Sequence, residues 1–188
     1  LVHKSRTGAS AGDAWWGSSI DSNNKLHFQT DNGLTGDDEE TSSLVSTTSV
    51  GDGSWHQITL VYTKETSTKI YVDGALEATH ANSESIDSDN TAPIEIGSRS
   101  GLGDTPYGDY YDTALSATEV ATLAENILPN QAKTANLVGH WKLSEVGTST
   151  STTATDSGSG GNNGTLTNFV SSPWFGNRAT ALASLYKI

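Results

Sequence analysis

Residues 54–79 hold the feature that most restricts the fold: two alternating apolar runs joined by short polar turns. His56–Tyr62 places Ile58, Leu60 and Tyr62 on one face, and Lys69–Val72 places Ile70 and Val72 on one face. A period of two is the pattern of a half-buried strand. Lys64–Thr68 forms a polar turn between the two runs. Asp73–Gly74 turns the chain again, because glycine accepts positive φ at no steric cost. Two adjacent strands with so short a connection predict an antiparallel hairpin, and a hairpin with apolar faces needs further strands around it.

Other segments supply them. Lys25–Gln29 alternates, with Leu26 and Phe28 on one face and Lys25, His27 and Gln29 on the other, after a tight turn at Asp21–Asn24. Residues 35–43 read as a solvated acidic loop, Asp37–Glu40 being consecutive carboxylates. Ile94–Gly97, led in by Pro93, is a further short strand, and so is Leu137–Leu143. Residues 147–164 are a Gly/Ser/Thr/Asn loop, with further strands at Thr165–Phe169 and Ala179–Tyr186. One helix is signalled. Ser116 and Glu119 match a capping box, Val120, Leu123, Ala124 and Ile127 follow as one apolar stripe, and Pro129 stops it.

At 188 residues the chain is long enough for one sandwich burying roughly 70% of its unfolded surface. Only 34% of residues are hydrophobic and about a quarter are Ser or Thr, which suits strands with one wet face. The net charge of −12 repels phosphate backbones and argues against nucleic acid. It also attracts cations, calcium above all, although solubility alone accounts for it; a salty habitat would fit too. There is no cysteine, so disulfides, thiolate metal sites and cysteine nucleophiles are excluded, which fits a bacterial or viral surface protein. There is no methionine either, so the chain is expected to be a processed or excised piece. No apolar run approaches the ~18 residues of a membrane span, and no signal peptide is visible.

The segment Gly53-Ser-Trp55-His56-Gln-Ile-Thr-Leu-Val-Tyr62, followed by Lys69-Ile-Tyr-Val-Asp73-Gly74, resembles the signature hairpin of laminin-G-like, concanavalin A-like lectin/glucanase domains. Ile94-Glu-Ile-Gly97 and Ala114-Leu115-Ser116-Ala-Thr-Glu119-Val120 resemble the end of the same domain. Leu137-Val-Gly-His-Trp141-Lys-Leu, Ala154-Thr-Asp156-Ser-Gly, Gly161-Asn162-Asn163-Gly164-Thr-Leu166, Trp174, Gly176 and Ala181-Leu182 resemble its beginning. The halves therefore run in permuted order. Residues 1–128 carry the middle and C-terminal part, 129–136 the junction and 137–188 the N-terminal part. Two arrangements satisfy this order: halves of neighbouring modules in a tandem array, or one composite sandwich. The second is favoured, because half-domains expose unpaired edges and half a core. Two departures stand out. Only Asp109-Tyr110-Tyr111 remains where the family has a longer acidic strand, and the Trp-bearing strand after Ala181-Leu182 is absent.

The resemblance implies an all-β, antiparallel β-sandwich (jelly roll, concanavalin A-like) with one short helix. It also implies a structural Ca²⁺ held by Asp156, Asn162 and Asn163, with a carboxylate from Asp109 or Asp112. Sugars stack on aromatic rings, so Trp15, Trp16 and Tyr107 are candidate carbohydrate-binding residues, Tyr110 and Tyr111 being close by. Adjacent strand residues face opposite sides, so at most one of Trp15 and Trp16 belongs to the core. Trp55, Trp141 and Trp174 match core or near-core family positions and read as packing. His56 and His140 read as cross-strand polar contacts rather than ligands.

Catalysis is not expected. Glucanases of this broad fold place paired carboxylates on one strand face, and neither Asp37–Glu40 nor Glu84–Asp87 has that spacing. No Gly-x-Ser-x-Gly elbow, phosphate loop or dinucleotide fingerprint occurs. Loop 147–155 and the sequon at Asn163 are weak glycosylation signals. The expected role is non-catalytic recognition of a polysaccharide or glycan, in an adhesion or polysaccharide-processing protein that is extracellular, on a cell surface or on a virion. The alternative is a structural module contacting neighbouring protein chains of a fibre, virion or surface assembly. No nucleic acid and no membrane insertion are expected.

Overall fold

The computed structural model describes residues 2–4, 15–32, 42–82, 94–96, 108–111, 113–125, 132–133, 135–141, 153–165 and 184–186. The strands are β1 (Val2–Lys4), β2 (Trp15–Ile20), β3 (Lys25–Asp31), β4 (Ser42–Ser49), β5 (Ile58–Thr63), β6 (Ser67–Val72), β7 (Ala75–Ala81), β8 (Ile94–Ile96), β9 (Gly108–Tyr111), β10 (Leu137–Trp141), β11 (Thr153–Ala154), β12 (Gly164–Thr165) and β13 (Ser184–Tyr186). The helix α1 is Ala117–Ala124. One sheet has the order β4-β3-β2-β1-β8 and the other β10-β9-β13-β5-β6-β7, with β11 and β12 forming a separate ladder. Pairing is antiparallel except at β13, which runs parallel to both β5 and β9. The protein is an all-β sandwich. Strands from both stretches of the chain share the second sheet, β10 and β13 lying beside β5, β6, β7 and β9.

The alternation read from the sequence positions the core. Leu26 and Phe28 of β3, Val2, Trp16 and Leu44 meet Leu60, Ile70 and Val72 of the other sheet. The opposite face of β5 and β6 is also covered. Val61 and Tyr71 pack with Leu115, Val120, Leu123 and Leu137. β5 is therefore a nearly continuous apolar run, buried on one face by the facing sheet and on the other by α1.

The helix starts as its capping box predicts: the Ser116 hydroxyl accepts from Glu119 N, and the Glu119 carboxylate accepts from Ser116 N at 2.8 Å. Val120 and Leu123 are its buried residues, while Ile127 and Pro129 lie outside the described residues. Asp73 and Gly74 both have positive φ, 50° and 81°, as a two-residue hairpin turn requires. A Cβ on Gly74 would stand 2.8 Å from Ala124 Cβ, so the turn also needs glycine to let the helix approach.

β4 begins at Ser42, inside the segment read as an acidic loop, and was not legible as a strand. Its inward positions alternate as Ser42, Leu44 and Ser46, so two of three carry hydroxyls. Those hydroxyls are used: Ser42 Oγ lies 2.6 Å from Thr30 Oγ1, and Ser46 Oγ accepts from Leu26 N at 2.9 Å. β7 was hidden by its alanines and its outward-facing polar residues. β4 and β7 are tied across the sandwich by Glu77, which accepts from Thr47 N at 2.8 Å, Thr48 N at 2.9 Å and the Thr48 hydroxyl.

Ile70 is fully buried in the inter-sheet core. Ile70→Ala should lower unfolding stability by about 2–5 kcal/mol, read by chemical denaturation with an unchanged m-value.

Candidate functional site

Three places bring chemistry-bearing residues together. The first is the outer face of the five-stranded sheet. Register puts Trp15 opposite Asp31, and Gly17 between His3 and Gln29. Trp15 Nε1 donates to Asp31 Oδ2 at 2.8 Å, so the indole's one polar atom is engaged. The His3 ring lies beside it, centroids 5.9 Å apart and planes 34° apart. Gly17 makes room for that imidazole, since a Cβ there would stand 2.6 Å from His3 Cδ2. Trp15 is half-buried, its ring at the outer face.

Trp16 points the other way, into the inter-sheet core. Its 7% exposure removes it as a sugar platform, and its Nε1 is buried without a hydrogen-bond partner among the described residues. The expectation that one tryptophan of the pair is core thus resolves to Trp16, as strand alternation requires. Tyr107 lies outside the described residues.

The second place is the segment from Val50 to Gln57, at the opposite end of β3. Val50 N donates to Asn24 O at 2.8 Å, joining the segment to the Asp21–Asn24 turn. Asp52 Oδ1 accepts from Ser54 N at 2.7 Å and lies 3.1 Å from His56 Nε2. His56 Nδ1 lies 2.8 Å from Asp73 Oδ2, and Asp73 Oδ1 accepts from Gln57 N at 2.8 Å. His56 is therefore clamped between two carboxylates. The Asp73 bond raises its pKa most, against its partial burial, and Asp52 adds in the same direction. The Asp52 carboxyl is held below its ordinary range, first by Ser54 N–H and then by His56. Trp55, in the middle of this segment, is 77% exposed. The packing role read for it from the sequence is corrected: its neighbours are fixed by hydrogen bonds, and its ring is left in solvent.

The third place is the loop after β10. Asp156 Oδ1 accepts from His140 N at 2.8 Å and Gly158 N at 2.7 Å, and Oδ2 accepts from Asn162 N at 2.7 Å. Asn163 Oδ1 accepts from Asp156 N at 3.0 Å. Trp141 Nε1 donates to the Asn162 carbonyl at 2.9 Å. Ser159 N and Gly160 N bond back to Leu137 O and Val138 O. Asp109 sits opposite His140 in the β9–β10 register, and Trp141 bridges to Asp156. The backbone thus brings Asp109 and Asp156 to opposite sides of β10, two of the places the sequence reading joined.

A profile of the laminin G family, described as the concanavalin A-like lectin/glucanases superfamily, matches residues 2–121. The chain belongs to that superfamily. A crystal structure of an S-layer domain-containing protein (residues 221-444) from Clostridium thermocellum ATCC 27405 is similar at 17% identity and a TM-score of 0.30. The similarity covers 60% of this chain and 64% of that one, less than two thirds of its length. No curated protein matched. Membership makes this laminin-G-like chain a β-sandwich module of an extracellular type, and no described helix is long and apolar enough to cross a membrane.

The superfamily reading implied calcium at the Asp156 loop. The described donors do not fit a calcium cage. Both Asp156 oxygens already accept backbone N–H groups, the Asn163 oxygen accepts another and the Asn162 carbonyl accepts the Trp141 indole. Among the described residues no group of three or more His, Asp or Glu is placed to hold a metal ion. Calcium needs six to eight oxygens free to turn inward, whereas these are turned onto the loop's own donors. Asp112 and the acidic runs at 37–40 and 84–87 lie outside the described residues.

Trp55 is the residue whose surface position the sequence hid. Gly53 and Gly51 before it mark a loop, but the family's hairpin pattern drew the indole toward the core.

Two outcomes follow. Asp156→Ala leaves three backbone N–H groups without their acceptor and should cost about 2–4 kcal/mol. The loss measured by thermal unfolding should be equal in calcium and in chelator. For His56, a folded pKa above the unfolded value of about 6.5 stabilises fully below that pH. The contribution is lost as pH rises through the folded pKa. The melting temperature should fall as pH rises from about 6.5 through the folded pKa, and His56→Ala should flatten that part of the profile.

Proposed function

We propose that this chain is a non-catalytic glycan-recognition module of an extracellular or surface-displayed protein. The arrangement of Trp15 carries the reading. A half-buried indole on the outer face of a sheet, with its N–H tied to a buried carboxylate, holds an apolar ring at fixed orientation. Sugar recognition uses such a ring against C–H faces, with a few polar groups fixing orientation. His3 stands beside the ring, and Gln29 lies one row along the same sheet face.

The charge narrows the ligand class. At −12, the chain repels sulfated, sialylated or uronic acid polymers at ordinary ionic strength and favours uncharged or amine-bearing saccharides. Membership in a lectin/glucanase superfamily supports the sugar reading without naming a sugar.

A polysaccharide retention assay on the folded protein tests the reading. Trp15→Ala should weaken retention at least tenfold at unchanged fold, while Trp16→Ala should destabilise by about 3–5 kcal/mol through a core cavity. A folded chain that retains no polysaccharide and forms defined oligomers in dilute solution would favour the structural-assembly role instead.

A further inference from the structure

Among the described residues Trp55 is the most exposed large hydrophobic, at 77% against 54% for Leu76, 43% for Val45 and 41% for Ile20. Exposed apolar side chains are ordinary on proteins. A tryptophan held out in solvent by an ordered frame is not, because its large apolar face gains nothing from the fold.

The frame is specific. On one side the segment is seated on the Asp21–Asn24 turn: Val50 N bonds Asn24 O, and a Cβ on Gly51 would come within 2.6 Å of Asn24 Oδ1. On the other side Gln57 exchanges bonds with Asp73, its N donating to Asp73 Oδ1 and its O accepting from Asp73 N, each at 2.8 Å. Asp52 and His56 flank Trp55 and are bonded to each other. Positive φ at Gly53 (86°) sets the turn that brings the segment round. Binding by a pre-organised loop forfeits less conformational entropy than binding by a loose one. This economy is what a recognition residue requires and a bystander does not.

The surroundings point to one kind of partner. Asp52 and Asp73 have side chains 46% and 53% exposed, so their carboxylates reach solvent while holding His56. Ile20, at the end of β2 that leads into the Asp21–Asn24 turn, and Leu76, two residues past the Asp73–Gly74 turn, are the other large exposed hydrophobics at this end of the sandwich among the described residues. A single aromatic ring in a polar, acidic setting lacks the apolar area of a protein anchor pocket. It has the make-up of a sugar contact: a ring for the C–H face and carboxylates to accept from hydroxyl or ammonium groups.

We infer that Trp55, with Asp52 and Asp73, forms a second saccharide-stacking site, at the opposite end of the sandwich from Trp15, for uncharged or amine-bearing pyranoses. The inference rests on the glycan reading above and adds a distinct contact to it. Two contacts on one polymer raise retention beyond either alone, because the second engages at high effective concentration.

The experiment measures binding of soluble oligomers of β-linked glucose and of β-linked glucosamine, with a sulfated oligosaccharide as control. The full chain and its Trp55→Ala, Trp55→Phe, Trp15→Ala and doubly substituted variants are compared, each shown folded by its melting temperature. Trp55→Ala should leave the melting temperature nearly unchanged, because most of the ring lies in solvent, and should weaken binding about tenfold. Trp55→Phe should recover part of the loss, and the double variant should bind less than either single one. The sulfated control should bind to none of them. If Trp55→Ala binds as tightly as the unaltered chain while Trp15→Ala does not, the second site is overturned and the glycan reading stands. If the unaltered chain binds neither oligomer, both are overturned.

Discussion

Ile70 and Tyr71 are neighbours in sequence and face opposite cores. The β5–β6 hairpin is buried from both sides, by the five-stranded sheet on one face and by α1 with Leu137 on the other. β9, β10 and β13 extend its sheet on one flank, β7 on the other, and the Asp73–Gly74 turn joins β6 to β7 under the helix. Because Val61 and Tyr71 are occupied by the helix, the outer face of this sheet is not open there for a ligand. Trp15 lies on the outer face of the other sheet, where its indole is half-buried.

The acidic composition acquires a particular meaning in the structure. Asp21 accepts from Asn23 N and Lys25 N, Asp52 from Ser54 N, Asp73 from Gln57 N, and Asp156 from three backbone donors. Aspartate, with its short side chain, is suited to this role in turns. In a chain without cysteine, and around a loop whose described oxygens are turned onto its own N–H groups, these carboxylates do the stapling that disulfides or a metal do elsewhere. The same kind of bond holds the segment carrying Trp55, through Asp52 and Asp73.

Much of this was legible in the residues. The hairpin, its turn, the capped helix and the inward faces of β3, β5 and β6 follow from periodicity and from Ser116 and Glu119. The partition of Trp15 from Trp16 follows from strand alternation, although which of them faces inward depends on register with Asp31 and Thr30. β4 was not legible, because an inward face of Ser42 and Ser46 satisfies its burial by hydrogen bonds rather than by apolar area. The exposure of Trp55 was hidden for a different reason. A family position constrains the backbone, whereas the side chain's surroundings depend on contacts that sequence spacing does not encode. At Asp156 the residue types suit calcium, while the N–H groups around it, invisible to sequence spacing, make it a cap for the loop's backbone.

The combined account is of a sandwich held by a doubly buried hairpin, with aspartate-stapled loops and indoles presented at two separate places. Its central claim is that this chain recognises saccharide without transforming it. Saturation-transfer NMR on the folded chain with an uncharged β-linked oligosaccharide, followed by chromatography of the recovered sugar, tests that claim most directly. The account predicts transfer onto the sugar's ring C–H protons and recovery of the oligosaccharide at its original length. No transfer from a folded protein, or recovery of shortened sugars, would contradict it.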